Sequence, residues 1–530
     1  MAFWVSIGIP FSVLAVPEGP DPNTPEWYQR ELTNYAKVTE APAEQATNPE
    51  FLQRLTEQGL ANELEWANRI AEDSSWVDPR SGNTQVTPLC TSWSLQCAGD
   101  PFRYPGFDPF YENEADVEPV LFYDRGCARI SGRVWKPRDA AAGANLPAVV
   151  IENGSVQAPE TLYWWAAQLL VRAGYTVMTF DPRGQGRSDQ QTPDFEQGSN
   201  INPTVFWDGL VDAIDFFRSS SVQPYPHNET CAGTYPTEMT TFNPYVEVAD
   251  PQRLGIVGHS LGARGVSIVQ GYGAEGAEPW PGLIDDENPV DVAVAWDSLS
   301  SEGGDPVVVP RVPAMGHSSE YGLTPVPFLQ APEPEEHKAA FAAWQQAGVP
   351  VYQLTIQGSS HYEWSLIPTF PTSSWCPEIV DGQCSGGWGL PMAEHYTLAW
   401  LDRWLKECGE QGYEDADARL LADDDWQERY SFYFRSARDF SDRNGGLQQC
   451  DDIRAGCEVE LQEVSCSTTP EEPGGGNEGS QSDDDDEDDP LFANGCVMGS
   501  SSLFDPLLPL LLLWSLGMLW HRSSRSGARS

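Results

Sequence analysis

The sequence predicts an α/β protein in which helices cover a mainly parallel β-sheet. Short apolar segments such as Leu146–Glu152 and Val290–Trp296 have the composition of strands buried on both faces. Amphipathic segments such as 161–173 and 392–406 alternate with them along the chain. This alternation is typical of a parallel sheet with helical crossovers.

The elements follow from the periodicity of apolar residues and from the turn residues between them. Two apolar segments flank Arg125-Gly126 and predict a hairpin. A loop-rich insertion at 224–250 contains Cys231. The predicted strands span 120–124, 128–136, 146–152, 175–180, 254–257, 290–296, 312–316 and 349–356, and the predicted helices span 49–72, 161–173, 202–218, 263–270, 335–347 and 392–406.

The chain is strongly acidic, with 530 residues and a formal net charge of -49. This charge argues against nucleic acid as a partner and against unaided adsorption to anionic lipid. Only four residues are lysine. Acid-rich, lysine-poor surfaces suit salty media, and a genome-wide composition bias explains the same numbers equally well.

Eleven cysteines occur, and none forms a Cys-x-x-Cys metal pair. Cysteines that are close in sequence favour disulfides in an oxidising compartment over zinc or redox chemistry. Such pairs are Cys90 with Cys97, Cys376 with Cys384, and Cys450 with Cys457. Connectivity does not follow from spacing alone.

The segment 254–265 reads as a buried strand, a tight Gly-His-Ser-Leu-Gly turn and a helix. This is the Gly-x-Ser-x-Gly pattern, in which a sharp turn projects the hydroxyl of Ser260 clear of the sheet. Gly258 and Gly262 leave room where side chains would clash. The alternative is an ordinary strand–turn–helix junction without chemistry.

A serine nucleophile of this kind needs a histidine base and an acid, in the chain order serine, acid, histidine. His361 follows a predicted terminal strand by a few residues, which makes it the expected base. Two acids qualify. Glu320 follows the segment 312–316 and is the favoured acid, whereas Asp297 ends the preceding strand and is the alternative.

The backbone N–H of Leu261, the residue after the serine, is the first expected oxyanion donor. The loop Asn153-Gly-Ser155 after a buried strand points to the Ser155 amide as the second, with Val156 as the alternative. The glycine-rich segment 181–189 lacks Gly-Lys-Ser/Thr, so we expect a structural role there and no phosphate. No motif implies a metal or an organic cofactor.

With these residues in place, the chain resembles the α/β-hydrolase superfamily, and more narrowly its secreted bacterial esterase- and lipase-like members. The resemblance covers roughly 119–406 and departs from the family in its Asn-Gly-Ser loop and in a glutamate where aspartate is commoner. It implies an α/β-hydrolase fold and a Ser-His-acid triad. It also implies hydrolysis of small or lipid-like carboxylic esters through an acyl-enzyme.

Two rival functions remain open at this stage. One is a serine peptidase of the same fold, and the other is a non-catalytic surface protein that retains the fold. Tryptophans near the predicted site either line an acyl pocket or belong to the core; they are Trp164, Trp165, Trp207, Trp364 and Trp375.

The termini differ in composition from the centre. Residues 1–20 resemble a signal peptide without its basic start, and 495–530 resemble a bacterial C-terminal sorting signal of the CTERM class or a plain membrane anchor. Both favour a secreted or surface-attached protein. The other predicted divisions are an N-terminal extension (21–118), the catalytic domain (119–440), a Cys-containing extension (441–470) and an acidic disordered linker (471–494).

Overall fold

A computed structural model describes residues 19–45, 48–83, 99–155, 158–198, 202–301, 306–366, 379–380, 383–384, 387–459, 461 and 464. Side chains are described throughout these ranges except at 40–45 and 379–384. Nearly all of the signal-peptide-like segment, the acidic linker and the C-terminal segment therefore lie outside the described residues. All described residues belong to one unit, Met1–Ser465.

A ten-stranded sheet forms the centre of this unit, in the order β1-β2-β4-β3-β5-β6-β7-β8-β11-β12. The six strands from β4 to β8 in this order are parallel, and the two strands at each edge are antiparallel. The α/β class with a mostly parallel sheet is thereby confirmed. The sheet strands are β1 (Ala115–Tyr123), β2 (Arg129–Pro137), β3 (Leu146–Glu152), β4 (Thr176–Asp181), β5 (Ala249–His259), β6 (Val290–Trp296), β7 (Ala314–Ser319), β8 (Val351–Ile356), β11 (Ala437–Ser441) and β12 (Leu447–Cys450); β9 (Ile379–Val380) and β10 (Gln383–Cys384) form a separate pair.

Helices cover both faces of the sheet and bury two apolar clusters against it. One cluster includes residues of α4 (Trp164–Arg172) and α9 (Gly389–Leu405), and the other includes residues of α5 (Val205–Arg218), α7 (Leu261–Val269) and α8 (Ala339–Gln346). Burial of these apolar faces is the main stabilising contribution of the fold. The helices are α1 (Pro25–Gln45), α2 (Pro49–Glu72), α3 (Phe110–Asn113), α4 (Trp164–Arg172), α5 (Val205–Arg218), α6 (Pro226–Thr230), α7 (Leu261–Val269), α8 (Ala339–Gln346), α9 (Gly389–Leu405), α10 (Ala416–Leu420) and α11 (Asp423–Trp426).

The strongly patterned elements were predicted closely. The structure confirms α2, β3 and β6 at their predicted limits and the hairpin of β1 with β2. The seventh strand differs, because β7 continues to Ser319 although its last residues are polar. Strands β11 and β12 are short and polar, and their apolar residues show no clear period, so the sequence does not predict them. Because both strands belong to the sheet, its strands span the chain from Ala115 to Cys450.

The N-terminal extension packs on loops at the carboxyl edge of the parallel strands. On α1, Glu31 accepts a hydrogen bond from the Tyr321 hydroxyl (3.0 Å) beyond β7. On α2, Asn62 accepts a hydrogen bond from Arg187 (3.2 Å) beyond β4, and Arg69 donates to the Arg187 carbonyl (3.2 Å). Residues far apart in sequence thus meet at the edge of the sheet where the candidate site lies.

Two disulfides lie within the described residues, Cys127–Cys231 and Cys450–Cys457. The second is one of the pairs that the sequence spacing indicated. Disulfides are consistent with an extracellular protein. No helix in the described ranges is both long and apolar enough to cross a membrane.

Candidate active site

Ser260 occupies a single-residue turn between β5, which ends at His259, and α7, which begins at Leu261. Its backbone has φ 58° and ψ −119°, a conformation that residues with a Cβ rarely adopt. The Ser260 N–H donates to the Trp296 carbonyl at the end of β6 (2.9 Å). The strained turn is therefore held by the neighbouring strand, and it presents the side chain at the edge of the sheet.

Two glycines make this turn sterically feasible. A Cβ on Gly258 would lie 2.5 Å from the Gly262 carbonyl oxygen. A Cβ on Gly262 would collide with the Asn153 carbonyl oxygen, in the loop after β3. Both contacts would be much closer than van der Waals contact. Crowding therefore requires glycine at both positions, as the sequence pattern predicted.

His361 lies in the loop after β8, and its ring bridges two groups. Nε2 lies 2.9 Å from Ser260 Oγ, and Nδ1 lies 2.6 Å from the Asp297 carboxylate. A carboxylate only accepts, so Nδ1 carries a proton and donates to Asp297. In the neutral ring, Nε2 then accepts from the Ser260 hydroxyl. The three side chains form one directed chain of hydrogen bonds.

Asp297 directly follows β6 and is fixed from a second side by Ser319. The Ser319 N–H donates to Oδ1 (2.7 Å), and the Ser319 hydroxyl donates to Oδ2 (2.8 Å). Burial of the Asp297 carboxyl opposes its ionisation, but the hydrogen bonds from His361 and Ser319 and the charge of His361 outweigh burial and lower its pKa to about 2. Asp297 is thus a permanently ionised partner of the histidine above about pH 4.

This shift predicts a pH-dependent contribution to stability. Because the folded-state pKa of Asp297 lies below its ordinary value of 3.8, its ionisation stabilises the fold above that value and ceases to do so as the pH falls through about 2. The difference in unfolding free energy between wild type and Asp297→Asn should narrow by about 1 kcal/mol between conditions near pH 7 and near pH 3. Urea denaturation at both pH values measures it. A difference that does not change with pH would contradict the shift.

Glu320, the favoured acid, forms its hydrogen bonds away from the His361 ring, whereas the alternative acid, Asp297, contacts that ring directly. Glu320 is 2% exposed. Its carboxylate accepts hydrogen bonds from Asn34 Nδ2 (2.5 Å), Gly358 N (2.6 Å) and Ser431 Oγ (2.6 Å). Because β7 is longer than predicted, Glu320 follows the strand immediately, and its side chain contacts Asn34 of α1.

The predicted oxyanion donors stay predictions. Leu261 is the first residue of α7, so its N–H has no acceptor within the helix. Ser155 lies in the loop after β3, and the alternative, Val156, is outside the described residues. The intervening Gly154 N–H is occupied, because it donates to the Tyr163 hydroxyl (2.9 Å).

The glycine-rich segment 181–189 holds the site's surroundings together. Asp181 accepts hydrogen bonds from Asn153 Nδ2 (2.8 Å) and from the Arg187 N–H (2.7 Å). Asp189 forms an ion pair with Arg129, and both side chains are fully buried. These contacts fit the structural role expected for the segment.

Four of the five candidate pocket tryptophans are core residues. Trp164, Trp165, Trp207 and Trp364 are each no more than 5% exposed. Trp375 lies outside the described residues. Among the residues that the structure describes, no group of three or more His, Cys, Asp or Glu side chains is arranged to hold a metal ion.

Sequence reasoning missed Ser319, which holds Asp297. It also missed His259, which it took as the variable residue of the Gly-x-Ser-x-Gly turn. His259 is 3% exposed, and its ring lies against the ring of His361, with centroids 4.7 Å apart. The only signal in the sequence was a histidine placed between Gly258 and the serine.

Comparison with known proteins gives a partial match. No family model matches the chain. The chain is 25% identical over 154 residues to a protein named Hydrolase acrC from Aspergillus aculeatus. The alignment covers 28% of this chain and 29% of that protein, so it spans less than a third of either. This similarity supports a hydrolase activity, but it does not show which type of bond is cleaved.

Proposed function

We propose that this protein is a serine hydrolase of the α/β-hydrolase type that cleaves carboxylic esters. The observation that carries the proposal is the hydrogen-bonded chain from Ser260 through His361 to Asp297, with distances of 2.9 and 2.6 Å. The three residues follow β5, β8 and β6, and they occur in the chain order serine, acid, histidine that this fold uses. The partial similarity to a hydrolase supports the same class.

The geometry suits nucleophilic catalysis. His361 Nε2 removes the Ser260 proton as Oγ attacks the ester carbonyl, and Asp297 stabilises the imidazolium that forms. The N–H groups of Leu261 and Ser155 then donate to the oxyanion. His361 returns the proton to the leaving alcohol, and a water molecule activated by His361 releases the acid from the acyl-enzyme.

We also propose that the enzyme acts outside the cytoplasm. The disulfide Cys127–Cys231 ties the β1–β2 hairpin to the insertion that precedes β5, and such bonds persist in oxidising compartments. Surface attachment through residues 495–530 belongs to the same proposal. It is supported by their sequence pattern alone.

A substrate comparison tests the reaction class. Wild-type protein should hydrolyse short- and medium-chain nitrophenyl esters much faster than peptide nitroanilides. Faster release from the anilides would favour the serine peptidase. No turnover of either substrate by folded protein would favour a non-catalytic protein. A phosphate-ester nitrophenyl substrate serves as the control and should not be cleaved.

A further inference from the structure

His259 connects the candidate base to the loop after β3 through both of its ring nitrogens. Nε2 lies 2.8 Å from the His361 carbonyl oxygen, and Nδ1 lies 2.9 Å from the Tyr163 hydroxyl. The Tyr163 hydroxyl in turn accepts from the Gly154 N–H (2.9 Å). His259, Tyr163 and Gly154 are buried residues, and His361 is half-buried.

The direction of every hydrogen bond in this chain is determined. A carbonyl oxygen only accepts, so Nε2 of His259 carries a proton and donates to His361. Nδ1 of the neutral ring is then an acceptor and receives the Tyr163 O–H. The Tyr163 hydroxyl oxygen accepts from the Gly154 N–H, because a backbone N–H can only donate. The Nε2–H tautomer of His259 therefore satisfies both partners, whereas the Nδ1–H tautomer would leave the His361 carbonyl without a donor.

The environment keeps both side chains in these protonation states. Burial, with a contribution from the neighbouring His361, lowers the pKa of His259 to about 3. Burial also raises the pKa of the Tyr163 phenol well above its ordinary range. Asp297 opposes the shift of His259 but does not offset burial. The chain of hydrogen bonds thus persists across the pH range in which a histidine base works.

Both main-chain polar groups of His361 are held by specific partners. Its N–H donates to the Gly322 carbonyl in the loop after β7 (2.9 Å), and its carbonyl accepts from His259. His361 lies in a turn, five residues beyond the end of β8, where no strand pairing fixes it. His259, by contrast, is the last residue of β5 and adjoins Ser260 directly.

We propose that His259 is a positioning residue, which fixes the main chain of His361 relative to Ser260 and ties it to Tyr163 and the loop after β3. This inference rests on the proposed function. The base must reach Ser260 Oγ and Asp297 at once, and a displacement of about 1 Å costs on the order of 100-fold in rate. Because His259 and Ser260 are consecutive residues, the same strand end sets the positions of nucleophile and base.

Two amide substitutions of His259 test its two hydrogen bonds separately, the one with His361 and the one with Tyr163. In His259→Gln the amide nitrogen takes the place of Nε2, so the donor to His361 is retained. In His259→Asn the amide group takes the place of Nδ1, so the contact with Tyr163 is retained and the donor to His361 is lost. We expect His259→Asn to lower kcat for a nitrophenyl ester about 10- to 100-fold with little change in KM, and His259→Gln to recover most of that loss.

His395→Asn is the matched control, because His395 Nε2 also contacts a main-chain carbonyl, that of Arg419 (2.9 Å), away from the site. It should leave kcat unchanged. Equal impairment of the Asn and Gln variants, or wild-type kcat in His259→Asn, would overturn the positioning role. Undiminished turnover in Ser260→Ala would instead overturn the proposed function, so the two failures are distinguishable.

A measurement on the wild-type protein covers the case in which a variant does not fold. Nitrogen NMR of 15N-histidine-labelled protein should show His259 as the Nε2–H tautomer, unchanged between about pH 5 and about pH 8. A resonance of the Nδ1–H tautomer, or titration of this ring in that range, would overturn the inference.

Discussion

Replacing Ser260 with alanine is expected to lower kcat for ester hydrolysis by on the order of 10⁶-fold, the loss typical when a serine nucleophile is removed. The alanine keeps the turn between β5 and α7 but removes the oxygen that lies 2.9 Å from His361 Nε2. With no nucleophile, no acyl-enzyme forms, and only binding and oxyanion stabilisation remain. Initial rates on a nitrophenyl ester measure the effect.

Ser221→Ala is the control for this experiment. Ser221 is exposed and lies in the segment after α5, apart from the candidate site. Its substitution should leave kcat and KM unchanged. Equal rates in Ser260→Ala and Ser221→Ala would mean that another group carries the chemistry.

The second large effect separates the two acids. Asp297→Asn should lower kcat by on the order of 10⁴-fold, because an amide at this position favours the wrong tautomer of His361 and leaves its imidazolium without a counter-charge. Glu320→Gln should lower kcat by less than about tenfold, because Glu320 contacts neither Ser260 nor the His361 ring in the described residues. Rates of the two variants, measured side by side, test the assignment.

Glu320→Gln should instead lower the stability of the folded protein. The carboxylate receives hydrogen bonds on both oxygens, and an amide nitrogen in place of either oxygen would face donors from Asn34 and Gly358 or from Ser431. Buried donors left without acceptors cost about 1 to 3 kcal/mol each. We therefore expect a loss of about 2 kcal/mol in unfolding free energy. A catalytic loss larger in Glu320→Gln than in Asp297→Asn would reverse the assignment.

Local patterns were sufficient to predict that Ser260 and His361 meet at one edge of the sheet. Gly258 and Gly262 are dictated by crowding within a few residues of the turn, so their spacing is visible in the sequence. His361 follows a strand whose six residues are all buried, and its position after that strand is a local feature as well. The Ser260–His361 contact agrees with both expectations, whereas the catalytic roles stay a proposal.

Which carboxylate lies beside His361 was not predictable from local pattern, because the position of Glu320 depends on where β7 ends. Its last residues, His317, Ser318 and Ser319, look like loop but are buried through distant partners. Trp364 Nε1 donates to His317, and Gln353 Nε2 donates to Ser318. These partners are invisible to periodicity.

The N-terminal extension and the role of His259 depend in the same way on contacts between distant residues. Asn34 meets Glu320 across 286 residues, and His259 meets Tyr163 across 96 and His361 across 102. No spacing rule predicts such pairs in a single sequence. Strands β11 and β12 were missed for a related reason, because their burial comes from pairing with β8 and with each other.

Covalent labelling tests the central claim, that Ser260 is an activated nucleophile, most directly. Cleavage after Arg253 and Arg264 releases a peptide of 11 residues in which Ser260 is the only serine. After reaction of the folded protein with a fluorophosphonate, this peptide should carry the phosphonyl group. Labelling should be far slower in Asp297→Asn and unchanged in Ser221→Ala. A label on any other residue, or none on folded wild-type protein, would contradict the claim.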